Sequence, residues 1–428
     1  MNNSHSISPK TSRSKSSVIL VMVTFFVISF ITNIMGPIFP ALVHDYHISL
    51  TIAGLFPFAF FIAYGVMSIP AGIITERLGA KITMLLSFSL SAAGALLLAL
   101  LPTLTSVMAS LFLIGSAMAM LQVVINPLLR IAGGEENFAF NSVAAQLVFG
   151  GAATVSPLVY SYLAGALDSH SSAIINQLFF WVPQQLSWLS MYGIFAVLSI
   201  VMLLIIAKLH MPKLVLNEDE KVGALDVHIE LLRSKTVRLF FIAIVAYVAT
   251  EQGVANSMSL FLQTYHGLNP EVEGANTVSQ FWLMMVFGCM LGMGLLRLID
   301  SRTVLKLFSV AAIACYLIAL FSSTSIALLA FPAVGFCISV MFSIIFSLAL
   351  NSMPKHHGSF AGILCSGIIG GALASPIIGM VADASGELRT GMFCVFITLG
   401  YILSIGFWAK PLVTNKTWKN NAETQTSL

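Results

Sequence analysis

The chain has 428 residues, of which 58% are hydrophobic and only 9% are charged. Soluble domains carry roughly a quarter charged residues, so this composition excludes a soluble protein of two or three domains. The net charge of +3 gives no indication of nucleic-acid binding. No cleavable signal peptide is expected, because the first apolar run is too long and ends without a small-residue cleavage site. The composition predicts an all-α membrane protein.

Hydropathy along the chain predicts twelve transmembrane helices, six on each side of one polar connector. The predicted ranges are 18–43, 50–74, 82–101, 105–131, 139–167, 188–208, 237–262, 276–299, 304–322, 325–351, 360–384 and 391–411. We therefore predict two six-helix bundles, 17–209 and 237–412, joined by a cytoplasmic linker at 210–236. The polar tails, 1–16 and 413–428, are predicted to be disordered.

The positive charges predict the orientation of these helices. With twelve spans and a cytoplasmic N-terminus, every Lys and Arg residue except Arg389 falls on the cytoplasmic side. Cytoplasmic loops of membrane proteins carry such an excess. Moving one span in or out would scramble this partition, so the charges support both the helix count and the orientation. We predict a multi-pass protein of the inner (plasma) membrane with both termini in the cytoplasm.

Glu251, in the middle of the seventh predicted helix, is the one acidic residue among 17 that does not lie in a loop, a tail or a helix end. A charge in the hydrocarbon core costs roughly 2.5–3.5 kcal/mol on insertion scales, so it calls for a partner or a function. Desolvation favours the neutral carboxyl group, which would let Glu251 take up and release a proton. With oxygen partners it could instead help to hold a sodium ion. A structural glutamate bonded to a neighbouring helix is the alternative.

Amide side chains inside the predicted helices suit a ligand that carries hydroxyl groups, because amides both donate and accept hydrogen bonds. Gln122, Asn126 and Arg130 are four residues apart and share one side of the fourth predicted helix. Arg130 lies near its cytoplasmic end and is predicted to be a topological or gating charge. The other candidate ligands are Asn33, Gln146, Gln252, Asn256 and Trp282, whose ring could stack on a sugar. Interhelical hydrogen bonding is the alternative role for each amide.

The sequence contains no sign of an enzyme or of a cofactor. It has no phosphate-binding loop, no pair of His residues with zinc spacing and no nucleophile elbow. The loops are also too short for an ATPase domain. Energy for transport would then come from an ion gradient or from the gradient of the substrate. No cluster of cations lies in the middle of the membrane, which favours a neutral substrate.

The loop after the second predicted helix reads Gly72-Ile-Ile-Thr-Glu76-Arg77-Leu-Gly79-Ala-Lys81. It resembles the signature loop of the major facilitator superfamily. That resemblance implies two parallel six-helix halves with a substrate site between them at mid-membrane. It also implies that the signature loop latches the cytoplasmic side of the first half against the eleventh helix.

A narrower resemblance, along nearly the whole chain, is to the fucose–galactose–glucose branch of sugar/cation symporters. The matching segments are Ala53-Gly54-Leu55, Ile69-Pro70-Ala71-Gly72, Asn126-Pro127, Ala145-Gln146, Tyr247-Val248, Glu251, Phe281-Trp282, 339–350, Gly370-Gly371-Ala372, Pro376, Gly379 and Ala382-Asp383. The chain departs from the fucose/proton symporter at two acidic positions, where it has Gly36 and Gln122. Glu251 stands where the glucose/galactose members carry a glutamate. The resemblance implies sugar transport and leaves the coupling ion open.

These observations predict a secondary active transporter that imports a neutral sugar, of hexose or deoxyhexose type, together with a proton or a sodium ion. Its partners would be the sugar, the ion and the lipid bilayer, and we expect a monomer. A drug or metabolite/proton antiporter is the nearest alternative, although Pro157 follows Ser156 rather than the glycine usual in such exporters. A sensor that does not transport, an uncoupled facilitator and an anionic sugar acid bound through Arg130 are the others.

Overall fold

Residues 15–412 are described by a computed structural model, apart from 134–137, 170–171, 184, 210, 212–224 and 354–356. Within these residues the secondary structure is helical and contains no strand. Twelve helices among them are long and apolar enough to cross a membrane. The predictions of an all-α fold and of twelve transmembrane helices are confirmed.

Six membrane helices, α1 to α6, make up what we call the first half. Their bounds are Lys15–Thr32 continuing as Met35–Tyr46 for α1, Leu50–Leu78 for α2, Ala80–Leu100 for α3, Leu104–Gly133 for α4, Phe138–Asp168 for α5 and Leu189–Lys208 for α6. A short helix, Ala173–Leu178, lies between α5 and α6.

The second half consists of α7 to α12. α7 is Lys235–His266, α8 is a π-helical turn at Pro270–Gly274 that continues as Ala275–Leu295, and α9 is Ser301–Phe321. α10 has two segments, Thr324–Ile338 and Met341–Leu350, and α12 has two, Leu388–Met392 and Cys394–Trp408. α11 has three, namely His357–Ser366, a 3₁₀ turn at Gly367–Ile369 and Gly370–Ser385.

The predicted connector and tails lie largely outside the described residues. Within the connector 210–236, Leu225–Arg233 is a helix. Of the predicted tails, only Lys15 and Ser16 are described, and α1 begins with them. The predicted domain boundaries therefore stay predictions.

Several helices run further than the apolar stretches that predicted them, whereas α8 ends at Leu295 and α12 at Trp408, before the predicted 299 and 411. α2 continues beyond residue 74 to Leu78 and ends at Gly79, whose φ of +83° is a conformation that glycine adopts readily. Helical hydrogen bonds do not require apolar side chains. Hydropathy therefore locates the membrane core, while caps and glycines locate the helix ends.

A break divides α1 at residues 33–34. Pro37 has no backbone N–H, so the carbonyl of Asn33 loses its helical donor. The Asn33 side chain turns back instead, and its Nδ2 donates to the backbone O and to Oγ of Ser29, at 3.1 Å each. The break therefore places a backbone carbonyl without its helical donor, and an amide, inside the protein at the middle of the membrane, where irregular backbone is tolerated.

Three pairs of helices make most of the contact between the halves: α1 with α7, α2 with α11 and α5 with α8. We call the end of the molecule with the connections 46–50, 168–189, 266–270 and 385–388 the outer end, after the predicted orientation, and the opposite end the inner end. Because α2 runs from the outer to the inner end and α11 runs back, the two helices pack antiparallel. The helices of these pairs carry Asn33, Gln146, Glu251 and Trp282 among the candidate site residues.

Candidate functional site

The outer end is closed at the α1–α7 pair by direct contact between helix backbones. A Cβ atom built on Gly36 would lie 2.3 Å from the carbonyl oxygen of Ala255. Any side chain at position 36 would therefore collide with main-chain atoms that cannot rotate away. Glycine is required at this position for the halves to approach this closely.

The α2–α11 pair closes the same end by packing and by hydrogen bonds. A Cβ on Gly54 would lie 2.6 Å from the backbone N of Pro376. Asp383, at the outer end of α11, accepts three hydrogen bonds from the beginning of α2. Leu50 donates its N–H to Oδ1 at 3.2 Å, and Thr51 donates its N–H and its hydroxyl to Oδ2 at 2.8 and 2.5 Å.

The α5–α8 pair carries a second set of bonds between the halves. The Tyr160 hydroxyl donates to Oε1 of Glu271 at 3.1 Å, close to the outer end. Deeper in the membrane, Ser279 Oγ donates to the carbonyl of Thr154 at 2.8 Å. These three helix pairs together close the outer end of the molecule.

Glu251 lies below this closure, in the middle of α7. It is one helical turn from Ala255, the residue that contacts Gly36, and residues four apart share a helix face. Its side chain is half-buried and lies within electrostatic range of Tyr247 and Cys289. The ion pairs in the described part of the chain lie elsewhere, at His44–Asp45 and Arg302–Asp300. A partly buried carboxyl group of this kind is suited to proton or cation exchange.

Two predicted ligands, Asn33 and Asn256, are buried and bonded within their own half. Asn33 is held by Ser29 on α1, and Nδ2 of Asn256 donates to Ser375 Oγ on α11 at 3.4 Å. In this state the amide of Asn256 joins α7 to α11, and that of Asn33 bonds within α1 beside its break. Gln252, one turn from Asn256, is also buried, with 5% of its surface exposed. A substrate role for these three residues stays a prediction.

Gln146 differs from these amides because its side chain is exposed. It lies one turn below Gly150, where a built Cβ would approach Val286 of α8 to 2.2 Å. The α5–α8 contact thus includes Gly150, and Gln146 lies on the same side of α5, one turn nearer the inner end. Gln122 of α4 is half-buried. Part of the surface of both side chains is therefore accessible, whereas Asn33 and Asn256 are buried.

Trp282 is buried in this structure, with 4% of its surface exposed, and its ring meets that of Phe281 edge-on at 5.3 Å. Its Nε1 is buried without a hydrogen-bond partner. A buried indole N–H usually has one, so this donor has unused capacity. Trp282 lies three residues from Ser279, on the part of α8 that faces α5, and stacking on a sugar stays a prediction.

In the signature loop, Lys81 bonds to the end of a neighbouring helix. Nζ of Lys81 donates to the carbonyls of Ala207 and Leu209, at 2.9 Å each, at the inner end of α6 in its own half. A cation at a helix C-terminus is favourable. Glu76 and Arg77 are exposed, and Gly72 is buried. The predicted latch of this loop against α11 stays a prediction.

Two predicted residues, Asn126 and Arg130, have side chains outside the described part of the structure, although α4 includes both.

Conversely, the sequence did not single out Glu271 and Asp383 as functional. Both belong to helix ends, where acidic residues are ordinary, and only their partners across the interface distinguish them. Within the described residues, no three His, Cys, Asp or Glu side chains come together as a metal site would require.

Twelve membrane helices in two sets of six, closed at one end over mid-membrane polar groups, define a multi-pass membrane transport protein. The model of the Major Facilitator Superfamily matches residues 21–366. The chain therefore belongs to the Major Facilitator Superfamily. Members of this family are transporters, so the prediction that the protein is not an enzyme is confirmed.

Two curated relatives cover most of the chain. It is 29% identical over 389 residues to a glucose/galactose transporter of Brucella abortus biovar 1, which covers 89% of this chain and 91% of the relative. It is 22% identical over 409 residues to the L-fucose-proton symporter of Escherichia coli (strain K12), covering 91% of this chain and 92% of the relative. The predicted resemblance to these two kinds of sugar transporter is confirmed.

Solved structures agree with the fold. FucP in the outward conformation matches with a TM-score of 0.64 at 22% identity, covering 92% of this chain and 98% of the other. A bacterial homologue of the human lysosomal transporter Spinster, inward-facing and unoccupied, matches with a TM-score of 0.77 at 15% identity, covering 94% and 97%. At these identities the likeness establishes the fold alone.

Proposed function

We propose that the protein is a sugar/cation symporter that imports a neutral hexose or deoxyhexose across the inner membrane by alternating access. The observation that carries the proposal is Glu251, a carboxyl group at mid-membrane, one helical turn below the α1–α7 contact that closes the outer end. The names of the two relatives support a sugar as substrate. Both termini would lie in the cytoplasm, and the protein would act as a monomer in the bilayer.

In this proposal the substrate hydroxyls are bound by the amides that remain accessible, Gln122 and Gln146. Asn126, Gln252 and Trp282 would contribute when the halves rearrange, and Arg130 would act as a gating charge. An uncharged sugar needs no charge partner, and its hydroxyl groups pair well with amides, which donate and accept. Glu251 would bind the proton or help to hold a sodium ion, and so couple the ion to the sugar.

The direct test is uptake into proteoliposomes that contain the purified protein. A panel of labelled sugars is offered with an inward proton gradient, an inward sodium gradient or neither. We expect accumulation of at least one hexose or deoxyhexose with only one of the two ion gradients. Equilibration without accumulation under every gradient would indicate a facilitator. No uptake of any sugar, together with drug counterflow, would contradict the proposal and favour the antiporter.

Gln122→Ala is expected to weaken sugar affinity by about 1–3 kcal/mol, because it leaves a buried hydroxyl or amide partner unsatisfied. The measurement is the concentration of sugar that half-saturates exchange, or isothermal titration of the purified protein. Gln263→Ala is the matched control, since Gln263 is an exposed amide at the outer end of α7. If both variants bind with the parent's affinity, Gln122 serves in helix packing instead.

A further inference from the structure

The two ends of the α2–α11 pair carry the same sequence pattern, a glycine, three residues, an acid, two residues and a glycine. On α2 the pattern is Gly72, Glu76 and Gly79, and on α11 it is 379–386 with the acid at Asp383. In both cases it covers the last turns of the helix. The closing glycine has positive φ in each, +83° at Gly79 and +75° at Gly386.

The two patterns lie at opposite ends of the molecule because the helices are antiparallel. A Cβ on Gly65 would approach Ile369 to 2.7 Å, and a Cβ on Gly379 would approach the carbonyl oxygen of Leu50 to 2.3 Å. Residue numbers on α11 thus decrease as those on α2 increase toward the inner end. Continuing this register brings Glu76 close to the beginning of α11. Asp383 lies at the end of its own helix and beside the beginning of α2, and Glu76 occupies the matching sequence position at the end of α2.

At the outer end the geometry is complete. The first N–H groups of a helix have no partner within it, and the helix dipole favours a negative charge there. Asp383 supplies that charge from the opposite half, to the N–H groups of Leu50 and Thr51 and to the Thr51 hydroxyl. Ser49 contributes only one bond from the helix's own half, its Oγ accepting from the N–H of Ile52 at 3.4 Å. The cap of α2 is thus shared between the two halves.

We propose that Asp383 is an outer latch, which holds the outer end closed by capping α2 and must release it when the outer end opens. Gly379 lets the helices come close enough for the carboxylate to reach the N–H groups, and Gly386 ends α11 directly after it. The outer latch is the counterpart of the signature loop at the other end of the same helix pair. This inference does not depend on which substrate is carried.

The test measures the separation of the halves at the outer end by pulsed electron paramagnetic resonance. Spin labels are attached to cysteines introduced at Leu101 and Ser323, which are exposed at the outer end of the first and second half respectively. The five native cysteines are first replaced. Asp383→Asn keeps the shape of the side chain and removes its charge. Hydrogen bonds to charged groups are about twice as strong as neutral ones. We therefore expect the population of molecules with the longer, open distance to rise about fivefold relative to the population with the shorter, closed distance.

Glu387→Gln is the matched control. Glu387 is an exposed acid of the same half and end, and it bonds locally to Thr390. An unchanged distance distribution for Asp383→Asn, or an equal shift for Glu387→Gln, would overturn the outer latch. If Asp383→Asn does not fold, Thr51→Val replaces it, removing one donor and leaving the carboxylate. Thr51→Val is expected to shift the distance distribution in the same direction as Asp383→Asn. Thr51→Ser, which keeps the hydroxyl, is expected to leave the distribution unchanged. An unshifted distribution for Thr51→Val would overturn the proposal.

Discussion

Glu251→Gln is expected to abolish accumulation of the sugar against its gradient while leaving exchange down its own gradient largely intact. Glutamine keeps the size and hydrogen-bonding ability of the side chain but cannot carry a proton. One proton driven by 100 mV supplies about 2.3 kcal/mol, which corresponds to about 50-fold accumulation. For the variant this ratio should fall to about one.

The measurement is uptake into proteoliposomes with an imposed ion gradient, beside counterflow in the absence of a gradient. Glu230→Gln is the control, since Glu230 is an exposed acid on the helix that precedes α7. Glu251→Asp keeps the carboxyl group and should retain part of the accumulation. Equal accumulation by Glu251→Gln and the parent would remove Glu251 from ion coupling. Loss of counterflow as well would place the residue in substrate binding or packing.

The second large effect is expected at Gly36. Gly36→Ala adds a single methyl group, which would lie 2.3 Å from a backbone oxygen of α7 when the outer end is closed. Overpacking of this kind costs about 1–3 kcal/mol, so the closed state should become less populated by about 5- to 150-fold. Because every transport cycle passes through this state, both accumulation and exchange should fall.

The matched control for this prediction is Gly151→Ala, because a Cβ at Gly151 would meet no atom within 4 Å. The spin-label pair at Leu101 and Ser323 should report a wider outer end for Gly36→Ala and the parent distance for the control. Parent rates of transport and parent distances in Gly36→Ala would mean that α1 and α7 do not need this contact.

The contact of Gly36 with the backbone of α7 also leads us to expect that placing an acid at position 36 would not create a proton-binding site. The resemblance to the fucose/proton symporter identifies position 36 as one that carries a carboxylate there. In this chain the Cα of residue 36 packs against the α7 backbone. Gly36→Asp is therefore expected to hold the outer end apart and to reduce transport, as Gly36→Ala does, rather than to add coupling.

The sequence by itself determined the class of this protein. Twelve apolar runs, a one-sided distribution of Lys and Arg and the signature loop were enough for the fold, because a lipid environment leaves a spanning chain few alternatives to the helix. It also identified Glu251, since a lone carboxyl group in an apolar run is conspicuous in one dimension.

The surroundings of the other polar residues were decided by the tertiary structure. Asn33, Asn256 and Gln146 look equivalent in the sequence, yet the first two are bonded within their own half and the third is exposed. Whether an amide packs helices or faces an opening depends on which helix lies opposite it. That is a property of long-range contacts, which hydropathy and spacing do not encode.

Asp383 and Gly36 likewise become distinctive only in the tertiary structure. As sequence, one is an acid at a helix end and the other a glycine in an apolar run, and neither calls for a function. Their roles arise from partners more than 200 positions away, the beginning of α2 for Asp383 and the backbone of α7 for Gly36. Local chemistry determines which helices form and where they cross the membrane, whereas the approach of the two halves determines which of their residues meet across the interface.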